Sequence, residues 1–166
     1  MSVLNVINLG ASVGLLQPGF LGTAAPLYAD LILLLEIGMG LALLVGAGLV
    51  RRRMYRWHAR CQSAVVLLNL VAIVLTMLPS FTSRVLPKIP AKLHRPPYAL
   101  ATAHAVVGSI AEFGGLYLLV AAGTEILPER FQLTNYKAWM RAALLLWWLV
   151  LLLGIATYAI LYTSWA

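Results

Sequence analysis

Four apolar stretches of about twenty residues, each bounded by charge or proline, leave this chain little choice of fold, because roughly 20 apolar residues in a helix cross a hydrocarbon core of about 30 Å. The first candidate span covers residues 29–50 and stops at Arg51, Arg52 and Arg53. The second covers 57–78 and ends at Pro79; the third, 98–122, is entered through Pro96 and Pro97; the fourth, 138–162, is rich in Leu and Trp. Proline suits a first helical turn, where its missing N–H has no intrahelical acceptor to lose. Composition agrees. Of 166 residues, 62% are hydrophobic and 10% charged, and the mean hydropathy is +0.91, whereas a soluble domain is nearer a quarter charged. The expected fold is an all-α integral membrane protein, a four-transmembrane-helix bundle filling residues 29–166 with no soluble domain.

Residues 1–28 are expected to form an interfacial or re-entrant segment followed by a turn. Gly10, Gly14, Pro18, Gly19, Gly22 and Pro26 interrupt the run too often for a span. The absence of Lys and Arg denies it the n-region of a secretory signal peptide, and its apolar character argues against a disordered tail.

Positive charge sets the expected orientation. Arg51, Arg52, Arg53, Arg56 and Arg60 follow the first span, and Arg130, Lys137 and Arg141 precede or open the fourth; the intervening loop carries Arg84, Lys88, Lys92 and Arg95. Cytoplasmic loops are enriched in Lys and Arg, so the first and third loops face the cytoplasm and both termini lie outside a multi-pass protein of the bacterial cytoplasmic (inner) membrane. The net charge of +7 then reflects topology and anionic lipid, not nucleic acid. The inner stretch PERFQLTNYKAWMR mixes Arg130, Lys137 and Arg141 with Phe131, Tyr136 and Trp139, which suits lipid headgroups or a partner subunit.

Against this background Glu36 and Glu112, two of only five acidic residues, stand out, since an ionisable group in hydrocarbon must face a protein interior, pair or work. At 1.5 Å per residue, Glu36 and His104 both lie roughly 10 Å inside the outer surface, where they can meet. Asn69 and Glu112 share a level near the midplane. On the second span His58, Gln62 and Asn69 fall within roughly 40° of one another and Thr76 extends the stripe. On the third, His104, Gly108, Glu112 and Gly115 share one side, and small residues there admit a close neighbour or a flat ligand.

Each also has a structural reading. Asn69 and Gln62 fit interhelical glue, His58 an interfacial role and His94 a solvated one. Gly38, Ala42 and Gly46 form a small-residue ridge for helix contact. Trp147, Trp148, Tyr158 and Tyr162 favour packing over lining a cofactor pocket. The single Cys61 permits no intrachain disulfide and no CxxC pair, and reads as a small packing residue. A single haem bridging His58 and His104 is disfavoured because they lie near opposite membrane faces. Glu36 with His104, joined by His94 if the loop folds in, makes the better metal cluster, although no HxxxH or HExxH spacing is present. No Walker loop, nucleophile elbow, zinc ribbon or internal repeat is visible, and no enzymatic activity is expected.

The stretches HARCQSAVVLLNLVAIVLTMLPSF, YALATAHAVVGSIAEFGGLYLLVAAGT and NYKAWMRAALLLWWLVLLLGIATYAILY resemble the bacterial domain-of-unknown-function-420 membrane proteins over about residues 50–162. The likeness rests on His58, on Tyr98 and His104, and on Tyr158. It implies a four-helix membrane architecture and, as for some members, a role in assembling haem-copper terminal oxidases. Family members nearest those assembly factors have further histidines after span two and before span four. Leu78 to Phe81 and Asn135 to Lys137 stand at those places here, so a haem or metal site built on them would be incomplete.

Three functions follow in order of preference. The first is a non-catalytic accessory subunit or assembly factor of a bacterial respiratory or electron-transfer complex, in contact with its other membrane subunits and handling haem or metal transiently at Glu36 and His104. The second is a redox carrier binding haem b or quinone, with His104 or His58 as ligand. The third is proton or ion transfer along Glu36, His104, Glu112, Asn69 and Gln62.

Overall fold

The computed structural model describes residues 17–123 and 135–163. Among them run four helices long and apolar enough to cross a membrane. They are α1 (Leu27–Arg51), α2 (Tyr55–Lys92), α3 (Pro96–Gly123) and α4 (Tyr136–Tyr162). Helix α1 packs along α2 and α3 along α4; α1 against α4 and α2 against α3 meet less extensively. This is an all-α four-helix bundle. One end carries the turn at Arg51–Arg53, and the other carries residues 17–26; these are called the arginine end and the loop end below.

Large apolar side chains point away from the bundle. Leu75, Phe113 and Leu145 are each about 70% exposed, whereas Ala72, Ala101 and Ala111 are buried at helix contacts. That distribution is the membrane pattern, in which lipid solvates the big residues and small ones let backbones approach. Met39, Leu43 and Val65 form the packed centre, with Leu35, Leu144 and Trp147 against them. The expected small-residue ridge on α1 is used in part: Ala42 and Gly46 face α2, but Gly38 is exposed with no neighbour near it. Gly40 takes up the close contact with α4, at Leu151.

Span two departs from the sequence expectation. Pro79 was expected to end it, yet the helix runs on to Lys92, so Arg84, Lys88 and Lys92 are helical and only residues 93–95 form the turn into α3. A proline inside a helix lacks an N–H and crowds the carbonyl four residues earlier. Here the chain answers by widening. Ile73–Met77 and Phe81–Val85 are π-helical, and Leu86–Lys88, holding Pro87, tightens to a 3₁₀ turn. Hydroxyls occupy carbonyls around the break: Thr82 donates to the Leu78 oxygen at 2.8 Å and Ser83 to that of Pro79 at 2.7 Å. Local π adjustment and Ser/Thr back-bonding are how membrane helices absorb proline.

The interfacial or re-entrant segment expected at the N-terminus falls on residues 1–16, outside the described residues, and residues 17–26 form a closed loop ahead of α1. Pro18 bridges Pro26 antiparallel, Gly19 N–H donates to Ala25 O at 2.8 Å, and Leu27 N–H to Gln17 O at 2.8 Å. Gly22 turns the tip with φ 71°, a conformation open to glycine at no steric cost. Ala24 N–H donates to Tyr162 O at 3.1 Å, fastening the loop to the end of α4.

Candidate functional site: a cavity with a polar wall

A cavity of about 860 Å³ lies in the half of the bundle nearer the loop end, bordered by all four helices. Ligand pockets commonly span roughly 300–1,000 Å³ and are mostly apolar with a few placed polar groups. Glu36, Asn69 and His104 are on this wall, and Tyr28, Arg84 and Lys88 are at the loop end of it. Along α2 the lining includes a row spaced every four residues, Asn69, Ile73, Met77, Phe81 and Val85, flanked by Leu78, Ser80, Arg84 and Lys88. In a plain α-helix each fourth residue drifts by roughly 40°, which would carry Val85 to the far side. The wider π turns offset that drift and hold the row on one face.

Glu36 from α1 and His104 from α3 converge on Gly154 of α4. A Cβ placed on Gly154 would lie 2.6 Å from Glu36 Oε2 and 3.0 Å from His104 Cε1, so glycine is what lets both side chains reach the α4 backbone. His104 Nδ1 donates to Val150 O at 3.1 Å. A carbonyl can only accept, so Nδ1 carries the proton, and in the neutral ring the Nε2 lone pair is left for another partner. A smaller cavity of about 160 Å³ is also lined by Glu36, His104 and Gly154.

Asn69, on the cavity wall, reaches Glu112 behind it. Asn69 Nδ2 donates to Glu112 Oε2 at 2.8 Å. Glu112 is 4% exposed, and its Oε1 has no hydrogen-bond partner among the described residues. Trp147, nearby on α4, packs against Gly115 and donates its Nε1 proton to Ala111 O at 3.2 Å.

The remaining candidates go elsewhere. His58 Nδ1 donates to Gly46 O at 2.8 Å, Cys61 Sγ reaches Ala42 O at 3.3 Å, and Gln62 covers Gly46. They bind α2 to α1 near the arginine end, away from the cavity. The stripe read along span two is thus split between two partners, and Thr76 bonds back to its own helix at Ala72 O. His94 is exposed in the α2–α3 turn and does not fold into the pair. Lys137, Trp139 and Arg141 are exposed at the start of α4; Arg130 lies outside the described residues.

Asp30 is the functional-looking residue that sequence reasoning passed over. It is fully buried, accepts from Tyr158 Oη at 2.5 Å and from Leu21 N–H at 2.9 Å, and Tyr158 also meets Thr23 Oγ1 at 2.7 Å. This clasp ties the loop, α1 and α4 together. A signal was present: Asp30 is, with Glu36, one of two acidic residues inside the first apolar run, set apart from Glu36 only by its position at the edge.

The donor set limits what the cavity can hold. Among the described residues no group of three or more His, Cys, Asp or Glu is placed to hold a metal ion, and Glu36 with His104 supplies two ligands at most, too few for a resident ion. A haem held by two histidines does not fit, since His58 is bonded to Gly46 at the other end of the bundle. A haem or another flat molecule taking one ligand from His104 Nε2 does fit the donor set. No protein-family model matches the chain, and no curated protein or solved structure matches it either.

Proposed function

We propose that this chain is a non-catalytic accessory or assembly subunit of a bacterial respiratory membrane complex that holds a membrane-soluble redox molecule, haem foremost, in the cavity at Glu36 and His104. The observation that carries it is the convergence of these two residues, through Gly154, on the wall of a cavity of about 860 Å³. The oxidase context comes only from the resemblance to the domain-of-unknown-function-420 proteins read in the sequence, which no family model matches. A bound haem would bring iron redox chemistry; His104 would offer Nε2 as the single protein ligand and Val150 O would fix the ring's tautomer. Glu36 would set the polarity beside the ligand, and the apolar wall would keep water out. In this reading the protein lies in the cytoplasmic membrane with the arginine end inside and both termini outside, as the charge bias favours.

Haem titration of the purified chain tests the site. A Soret change saturating at one haem per chain is expected, lost in His104→Ala and weakened in Gly154→Ala, whose added methyl competes with Glu36 and His104 for the same space. Wild-type protein giving no Soret change, together with normal oxidase assembly in a deletion strain, would overturn the proposal.

A further inference from the structure

The loop end of the cavity carries charge that Glu36 and His104 do not explain. Arg84 and Lys88, one helical turn apart on α2, both line it, and residues 79–100 contain Arg84, Lys88, Lys92 and Arg95 but no Asp or Glu. Arg84 is not idle. Its Nη1 donates to Tyr28 Oη at 3.0 Å and its guanidinium lies 5.8 Å from the Tyr28 ring centroid, contacts that fix the group and, among the described residues, engage one of its donors. Guanidinium has five donors in a planar fork matched to carboxylate and phosphate.

The side of the cavity is equally particular. Val106 and Ser109 of α3 line it and are also exposed, Val106 at 55%. Residues that both line the cavity and are exposed bring it to the lipid-facing side of α3. The distance along α1 from Tyr28, at the cations, to Glu36 is eight residues, or roughly 12 Å. A ligand spanning it has an acid at one end, at the depth of the headgroups, and an apolar body within the hydrocarbon.

We infer that the cavity is a site for an anionic membrane amphiphile, admitted from the bilayer on the lipid-facing side of α3, with its acidic head seated on Arg84 and Lys88. The inference deepens the reading of the cavity as a ligand site. The head chemistry is shared by the phosphate of an anionic lipid and the propionates of a haem, and the test separates the two sources.

The full chain, reduced to Trp147 as its one tryptophan, is reconstituted in phosphatidylcholine vesicles containing a minor fraction of chain-brominated lipid. Trp147 is on the cavity wall, so its quenching reports entry. In the first arm brominated phosphatidylglycerol is compared with brominated phosphatidylcholine. In the second, wild-type protein is titrated with haem and with its uncharged dimethyl ester. A preference for the charged member of either pair by roughly tenfold, the scale of one charge-assisted contact, abolished in Arg84→Gln/Lys88→Gln, is expected and names the source. Absence of preference in both pairs, preference that survives the double substitution, or displacement by millimolar inorganic phosphate, which would make the site one for free anions, overturns it. His104→Ala separates the claims: it removes the Soret change of the proposed function but leaves lipid discrimination intact. Circular dichroism melts of the double variant check folding, and Arg84→Lys/Lys88→Arg, which keeps both charges, should restore the preference.

Discussion

Asn69 shows how one residue can be both glue and wall. Among the described residues its amide is the hydrogen-bond partner of the Glu112 carboxyl, and it lines the cavity. Asn69→Ala is expected to destabilise the bundle by about 1–2 kcal/mol, because it orphans a buried oxygen as well as removing an interhelical bond. In a Glu112→Leu background the same change should cost far less, and denaturation of the four proteins in detergent measures the difference as a coupling energy. Equal cost in both backgrounds would mean that Asn69 acts by packing alone. Gly154 teaches the complementary lesson at this scale. A residue without a side chain decides where Glu36 and His104 sit, and nothing in its own chemistry announces that.

At the scale of the element, α2 turns an obstacle into the site. The π turns that absorb Pro79 also keep Phe81, Val85 and the cationic pair aimed at the cavity. Pro79→Ala is expected to let this stretch relax toward a regular α-helix, raising thermal stability slightly while weakening haem binding several-fold, since the lining row would rotate away. Unchanged affinity would show that packing, not proline, maintains the π turns. The sequence marks the proline plainly but reads it as a terminus. Whether a helix stops at proline or continues through it depends on whether the surrounding turns can adjust around the missing N–H, and the π turns on either side of Pro79 do so here, with Thr82 and Ser83 donating to the Leu78 and Pro79 oxygens.

For the whole molecule, the testable claim is orientation. In spheroplasts of cells making Cys61→Ser protein, a thiol introduced as Arg52→Cys should resist a membrane-impermeant maleimide until lysis, whereas Thr163→Cys, at the loop end, should label at once. The reverse pattern would invert the topology. What the sequence by itself determined is the count and character of the helices, because a span must be apolar over a length dictated by the bilayer. It also determined which residues had to be accounted for, since each ionisable group in hydrocarbon demands a partner, and depth alone paired Glu36 with His104 and Asn69 with Glu112. The tertiary structure decided the rest. It sent His58 and Gln62 to α1 and Asn69 to α3, closed residues 17–26 over Asp30, and left a cavity bordered by all four helices. Those outcomes rest on which helices are neighbours and how closely they approach. Hydropathy carries no such information, because lipid and protein are equally good apolar surroundings for a Leu or a Val.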